Sequence, residues 1–487
     1  MTPQAHKVTS FPLRMVTFNA LFYVCGGSFP QILNFFLLPI YSRLLTPHDF
    51  GILGYVASIS AFITITNCLS LNSYYLRYYF QAEDKKEFTG TLHYFLILSN
   101  FLFVLLEALL LSAVFPYFNI KVQFYPYMFL GLAECFFTGF SIIPLRFFRL
   151  EFRAGTYVSC SLAQVLLTQG LSLYLIYFQK MGAEGRLLGG ALSAGIMAIF
   201  YLLSSRVYAR ITINRGIVAQ GLRFSIPLMF GACADTILSI SDRVILERFV
   251  PISSLGIYSI AFTLASAAML IIRAFSFVVE PMVYKVADSP TFLADYLRLK
   301  DYFLFVVLVV VSAIIIFARE IVDIFLTPSF SQAANLLPII AFSSVFLAAR
   351  DNLGLLLMLK ARTFSISTIS LISAILNIIL NLIFIPIYGI YAAAGTSVFS
   401  CLVSFILAFL ISRTEMKASL NIGKDLLSLF VLLLTAVGVF AINPLVLADR
   451  VVAKLVLFAL FCAFLCWNYS LNLKLLREEV LELEGPS

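Results

Sequence analysis

Long apolar runs alternate along this chain with short stretches rich in proline, glycine and charge. The runs predict fourteen spans, near 17–40, 51–72, 91–115, 125–145, 156–178, 187–207, 222–245, 253–277, 301–318, 334–358, 363–386, 389–412, 425–443 and 451–471. Each approaches the roughly 20 residues that a helix needs to cross the hydrocarbon core of a bilayer. They are too long for strands. In lipid the backbone must also satisfy its own hydrogen bonds, which selects helices.

Composition agrees with this pattern. Of 487 residues, 61% are hydrophobic and only 12% charged, with a mean hydropathy of +0.99. A water-soluble domain carries about 25% charge, so soluble, disordered and coiled-coil classes are excluded. The net charge of +8 would suggest nucleic acid in a soluble protein. Here it reflects basic loops, and no nucleic-acid partner is expected. With the amino terminus inside, 22 basic residues fall in inner loops and nine in outer ones. That bias places both termini in the cytoplasm. The eight cysteines sit singly in apolar runs with no CxxC, so they read as small core residues and neither a metal nor another cofactor is expected. The first residues lack a compact cleavable signal, and the first span is expected to remain as an anchor.

An internal repeat is visible. Arg43…Gly51-Ile52 recurs as Arg248…Gly256-Ile257 at a shift of 205 residues. The small-residue stretch opening at Gly185 matches the one opening at Gly389, and Tyr157 matches Phe364, at nearly the same shift. The shift covers six spans, an even number, so the halves share one orientation in the membrane. The expected architecture is an all-α polytopic membrane protein with two pseudo-symmetric six-helix lobes, residues 1–215 and 216–415, and two further helices with a tail in 416–487. Two such lobes could enclose a cavity.

The chain has no GxxxxGK[ST], HExxH or GxSxG, so neither ATP hydrolysis nor enzyme chemistry is expected of it. The candidate site is instead charge within the spans, which is costly unless it meets a cavity or a partner. Glu107, Glu134, Asp235, Arg273, Arg350 and Asp351 qualify. Asp242 shares a face with Asp235, and Glu280 shares one with Arg273, seven residues on. Polar pairs at helical spacing, Asn377 with Asn381 and Gln164 with Thr168, suit either a cavity lining or bonds between helices. Tyr74, Tyr75, Tyr78 and Tyr79 around Arg77 read as an interfacial belt.

Three stretches resemble a known family. They are Leu38-Pro39-Ile40-Tyr41-Ser42-Arg43 with Phe50-Gly51, Pro227-Leu228-Met229-Phe230 leading to Ser241-Asp242-Arg243 and Gly256-Ile257-Tyr258, and Asn377…Asn381…Pro386…Gly389. They are similar to polysaccharide flippases of the Wzx type, in the superfamily that includes the MATE exporters and MurJ (the MOP superfamily). The resemblance implies a flippase in a bacterial inner membrane. Its substrate would be an undecaprenyl-pyrophosphate-linked oligosaccharide moved by alternating access, as in O-antigen or lipopolysaccharide synthesis. Its partners would be that lipid, the surrounding membrane lipid, and the polymerase and glycosyltransferases of the pathway, with coupling to H+ or Na+ open. On this reading Arg273, Arg350 and Arg77 attract the diphosphate. Asp235 and Glu134 are candidates for coupling protons, and Asp242, Arg243 and Glu280 for gating. Asn377, Asn381 and Gln164 are candidates for a polar cavity lining. The alternatives are a lipid II flippase, a MATE-type exporter of cationic drugs or metabolites, and a membrane scaffold that transports nothing.

Overall fold

The computed structural model describes residues 13–285, 292–360, 362–416, 422–443 and 447–469. These contain α-helices and no strand. In chain order the helices are α1 (Leu13–Leu44), α2 (Pro47–Cys68), α3 (Leu71–Tyr78), α4 (Lys85–Tyr117), α5 (Phe129–Gly139), α6 (Ile142–Leu150), α7 (Ala154–Tyr177), α8 (Gly182–Tyr208) and α9 (Arg215–Phe249). They continue with α10 (Ile252–Lys285), α11 (Phe292–Ile316), α12 (Ala318–Phe325), α13 (Ala333–Leu359), α14 (Thr363–Tyr388), α15 (Ile390–Met416), α16 (Gly423–Ile442) and α17 (Leu447–Asn468). Among the described residues, 12 helical segments are long and apolar enough to cross a membrane. The helices α1 and α16, of 32 and 20 residues, stand where the other two spans were expected. Leu102, Leu106, Leu109 and Leu110 of α4 are exposed, and an apolar surface of that kind is at home in acyl chains. The protein is therefore a multi-pass membrane protein.

Local sequence sets the helix ends. Thr46 caps α2 by accepting from the Asp49 backbone N–H at 3.2 Å, and the Asp49 carboxylate accepts from the Thr46 N–H at 2.9 Å. Pro47 follows at the first helical position, where its missing N–H costs nothing. Asp84 caps α4 through the N–H groups of Lys86 and Glu87, at 2.9 and 3.0 Å. Those N–H groups, Glu87 first, hold the Asp84 carboxyl below its ordinary pKa.

The chain groups into two compact units, Met1–Thr236 and Ile237–Ser487, with the division inside α9 and with α16 and α17 in the second unit. In the first unit α7 packs on α8, and α5 packs on α8 and α2. Gly189 makes the first of these contacts possible. A Cβ there would stand 2.6 Å from the Ser172 backbone nitrogen. One end of this unit is filled by aromatic rings. Tyr74, Tyr75 and Tyr79 are buried with Phe88, Phe147 and Tyr208. This corrects the interfacial belt, because Tyr75 hydrogen-bonds Thr89 at 3.0 Å and Tyr79 donates to Glu151 at 2.6 Å. In the second unit α13 packs against α10, α11 and α15. Ala393, Ala394, Ser400 and Ser404 of α15 are buried, and small side chains let helices in lipid approach closely.

Candidate functional site

The first unit contains a cavity of about 400 Å3 between α2, α5 and α8, with Ser60, Thr64, Glu134 and Arg186 among its lining residues. Glu134 belongs to α5 and is half-buried. Among the described residues its carboxylate has no hydrogen-bond donor. Gly190 of α8 leaves room for it, since a Cβ there would lie 2.5 Å from Glu134 Oε2. Arg186 is four residues before Gly190, on the same helix face. Its guanidinium donates to Ser172 Oγ at 3.2 Å and lies 5.8 Å from the centre of the Tyr41 ring. It makes no ion pair among the described residues. Tyr41 donates to Gln169, which in turn donates to Asn34, so a chain of bonds from α7 to α1 orients the ring beneath the cation. An acid and a guanidinium thus share one cavity while neither neutralises the other by direct contact. The carboxylate can hold and release a proton. The guanidinium can hold an anion, and a low-dielectric lining strengthens both interactions.

The second unit treats its charges differently. Asp242 is 2% exposed and accepts from Tyr258 of α10 and from the Arg243 N–H. Arg243 lies 4.0 Å from the centre of the Phe262 ring. The two residues join α9 to α10. Ser241 donates to Asn377 at 2.7 Å, Asn381 donates to the same oxygen at 2.9 Å, and Thr396 of α15 donates to Asn381. Asn377 and Asn381 are both 0% exposed. Of the two roles the spacing allows, the structure shows bonds between helices at both positions. Their side-chain oxygens accept from Ser241 and Thr396 on neighbouring helices, and polar bonds of that kind hold helices together in lipid. Gln164 is half-buried and donates to Ser193 of α8 at 3.2 Å.

The other predicted residues are dispersed. Arg273 is exposed on α10 with no hydrogen-bond or ion-pair partner among the described residues. Arg350 is held by its neighbour Asp351 at 2.7 Å, with 15% of its side chain exposed. Arg77 is exposed and lies over the rings of Tyr78 and Phe224 at 5.6 and 5.3 Å. Asp235 is exposed on α9. Glu107 accepts from Asn67 at 3.1 Å. The side chain of Glu280 lies outside the described residues. The apolar run that predicts the span 187–207 begins just after Arg186 and so leaves it in the preceding loop. The Gly185-x-x-x-Gly189 spacing signals a helix that starts a turn earlier.

Comparison with known proteins bears on this arrangement. The family described as "Polysaccharide biosynthesis protein" matches residues 40–335, more than half the chain. A membrane protein of Methanocaldococcus jannaschii described as uncharacterized is 23% identical over 353 residues, 69% of this chain and 66% of its own, just under two thirds of that relative's length. The lipid II flippase MurJ in an inward closed conformation superposes with a TM-score of 0.68 at 14% identity, over 94% of this chain and 99% of its own. An inward-facing multidrug resistance MATE family transporter of the MOP superfamily gives 0.61 at 13% identity, over 82% and 94%. The fold is that of the MOP superfamily.

Proposed function

This chain belongs to the polysaccharide biosynthesis protein family, and from that premise we propose that it is a flippase. Its cargo would be an undecaprenyl-pyrophosphate-linked oligosaccharide, moved from the inner to the outer leaflet of a bacterial cytoplasmic membrane by alternating access. The observation that carries this reading is the Glu134–Arg186 cavity within a membrane-spanning unit. A diphosphate is anionic and needs a guanidinium that no carboxylate has already claimed. Arg186 meets that condition in the first unit and Arg273 meets it in the second. Arg350 ranks behind them because Asp351 already holds it, and Arg77 ranks behind because it rests on aromatic rings. Glu134 is positioned to exchange a proton with the cavity, which makes H+ the favoured coupling ion over Na+. Asp242 and Arg243 act as a brace between helices. An exporter of cationic drugs would want its acid unaccompanied, whereas here a guanidinium lines the same cavity. The termini are assigned to the cytoplasm on the loop charges.

A leaflet assay tests the reading. The purified chain is placed in liposomes with a fluorescent undecaprenyl-pyrophosphate oligosaccharide, and dithionite is added outside. Quenching should continue past the outer-leaflet fraction and accelerate when a pH gradient is imposed. Quenching that stops where protein-free liposomes stop would refute the function.

A further inference from the structure

The first unit has a second cavity, of about 550 Å3, lined by Thr64 and Cys68 of α2, Asn72 of α3, Arg146 and Arg149 of α6, and Tyr157 of α7, among others. The two arginines are three residues apart on one helix, so their side chains leave from the same side. Both are half-buried. Arg149 lies 6.0 Å from the centre of the Tyr157 ring. Arg146 makes no hydrogen bond and no ion pair among the described residues. No aspartate or glutamate stands among the described residues of its lining. Two guanidiniums gathered in partial burial at one cavity repel one another. An anion between them would relieve that repulsion. Phosphate suits the planar, bidentate geometry of arginine.

Helical geometry adds a direction. Thr64 lines this cavity and also the one that holds Glu134 and Arg186. The two cavities therefore adjoin along one face of α2. From Ala57, which lines the Glu134 cavity, to Cys68 the helix rises about 17 Å. The loop charges assign the Arg146–Arg153 end to the cytoplasm, the side on which a lipid-linked sugar is made.

We propose that this cavity binds the phosphate groups of a lipid head group, with Arg146 and Arg149 as its charged ligands and Asn72 as a neutral one. Naming the polyprenyl diphosphate of the cargo as that lipid rests on the flippase reading. An anionic phospholipid presents the same chemistry.

Equilibrium binding to the full-length chain in detergent micelles tests this, with undecaprenyl diphosphate and phosphatidylglycerol as separate probes. A hydrogen bond to a charged group contributes about 1.5–3 kcal/mol, so Arg146→Gln with Arg149→Gln should weaken binding by at least about tenfold. Lysine at both positions should recover part of it. Arg206→Gln, an exposed arginine in the last turn of α8, should change nothing. A loss seen only with the diphosphate identifies the cargo as the ligand, and an equal loss with both identifies membrane lipid. Binding of both probes that ignores the double substitution overturns the site. A second readout keeps both arginines. With the other cysteines replaced by alanine, maleimide labelling of Cys68 should slow several-fold when the bound lipid is present, and an unchanged rate also overturns the site. The leaflet assay on the same preparation separates the two ideas. Translocation with arginine-independent binding removes the pocket and keeps the flippase. Arginine-dependent binding without translocation does the reverse.

Discussion

The two units handle buried charge in opposite ways. In the first, Glu134, Arg186 and Arg146 border cavities and make no ion pair among the described residues. In the second, Lys300 is 2.6 Å from Asp425, and Glu320 receives Lys454 at 2.8 Å and Arg450 at 2.9 Å. Lys300, Asp425, Arg450 and Lys454 are all buried. These pairs fasten α16 and α17 to α11 and α12. An unpaired charge at membrane depth costs free energy that a structural role gives no reason to keep. A paired one costs less and fixes geometry. On the proposed function the cavity charges of the first unit serve the ligand, with Arg273 beside them, while the buried pairs of the second unit fasten helices.

Stability measurements in detergent can break this contrast. The largest effect belongs to the fastened pairs. Lys300→Met strands Asp425 in a buried site, and removing one member of such a pair costs about 3–5 kcal/mol. Adding Asp425→Leu should restore part of it. A melting temperature unmoved by Lys300→Met would mean that the pair fastens nothing. Next comes Gly189→Ala, which drives a methyl group into the α7 backbone. Overpacking of that kind costs about 1–3 kcal/mol, read as a lower melting temperature. Asn381→Leu removes a bond between helices in lipid, for which about 0.6 kcal/mol is an average. A larger fall would show that the Ser241–Asn377–Asn381–Thr396 chain acts as a unit.

The smallest effect is a pH dependence at Glu320, on α12 outside the spans. Burial raises its carboxyl, but the Lys454 hydrogen bond and the charges of Lys454 and Arg450 outweigh burial, and its pKa lies below the ordinary value. A depressed folded pKa means that the contribution is complete above the unfolded value, about 4.3. It is lost as the pH falls through the folded one. The melting temperature should therefore drop as the pH falls below about 4.3, and drop less in Glu320→Gln. Equal acid sensitivity in both proteins would remove the role given to this carboxylate.

Most of the helices could be read from the sequence because a span leaves a long, unbroken apolar signature. The short helices α3, α6 and α12 left no such trace. Tyr74, Tyr75 and Tyr79 show why, since a tyrosine suits a lipid interface and a buried core equally well and only its neighbours decide. Spacing placed Asn377 and Asn381 on one helix face correctly. What that face met depended on Ser241 and Thr396, far away in sequence. Arg186 was displaced by a helix end, the least legible feature of any span. Glu134 was recognised as an acid within a span, while its cavity and its guanidinium companion required the fold.

The most direct test is the leaflet assay run on two sets of variants that keep normal protein levels. Glu134→Gln and Arg186→Gln should each abolish quenching of the inner-leaflet lipid, while Lys300→Met with Asp425→Leu should still support it. Continued translocation by both first-unit variants, with loss in the second-unit pair, would contradict the assignment of ligand chemistry to the first unit.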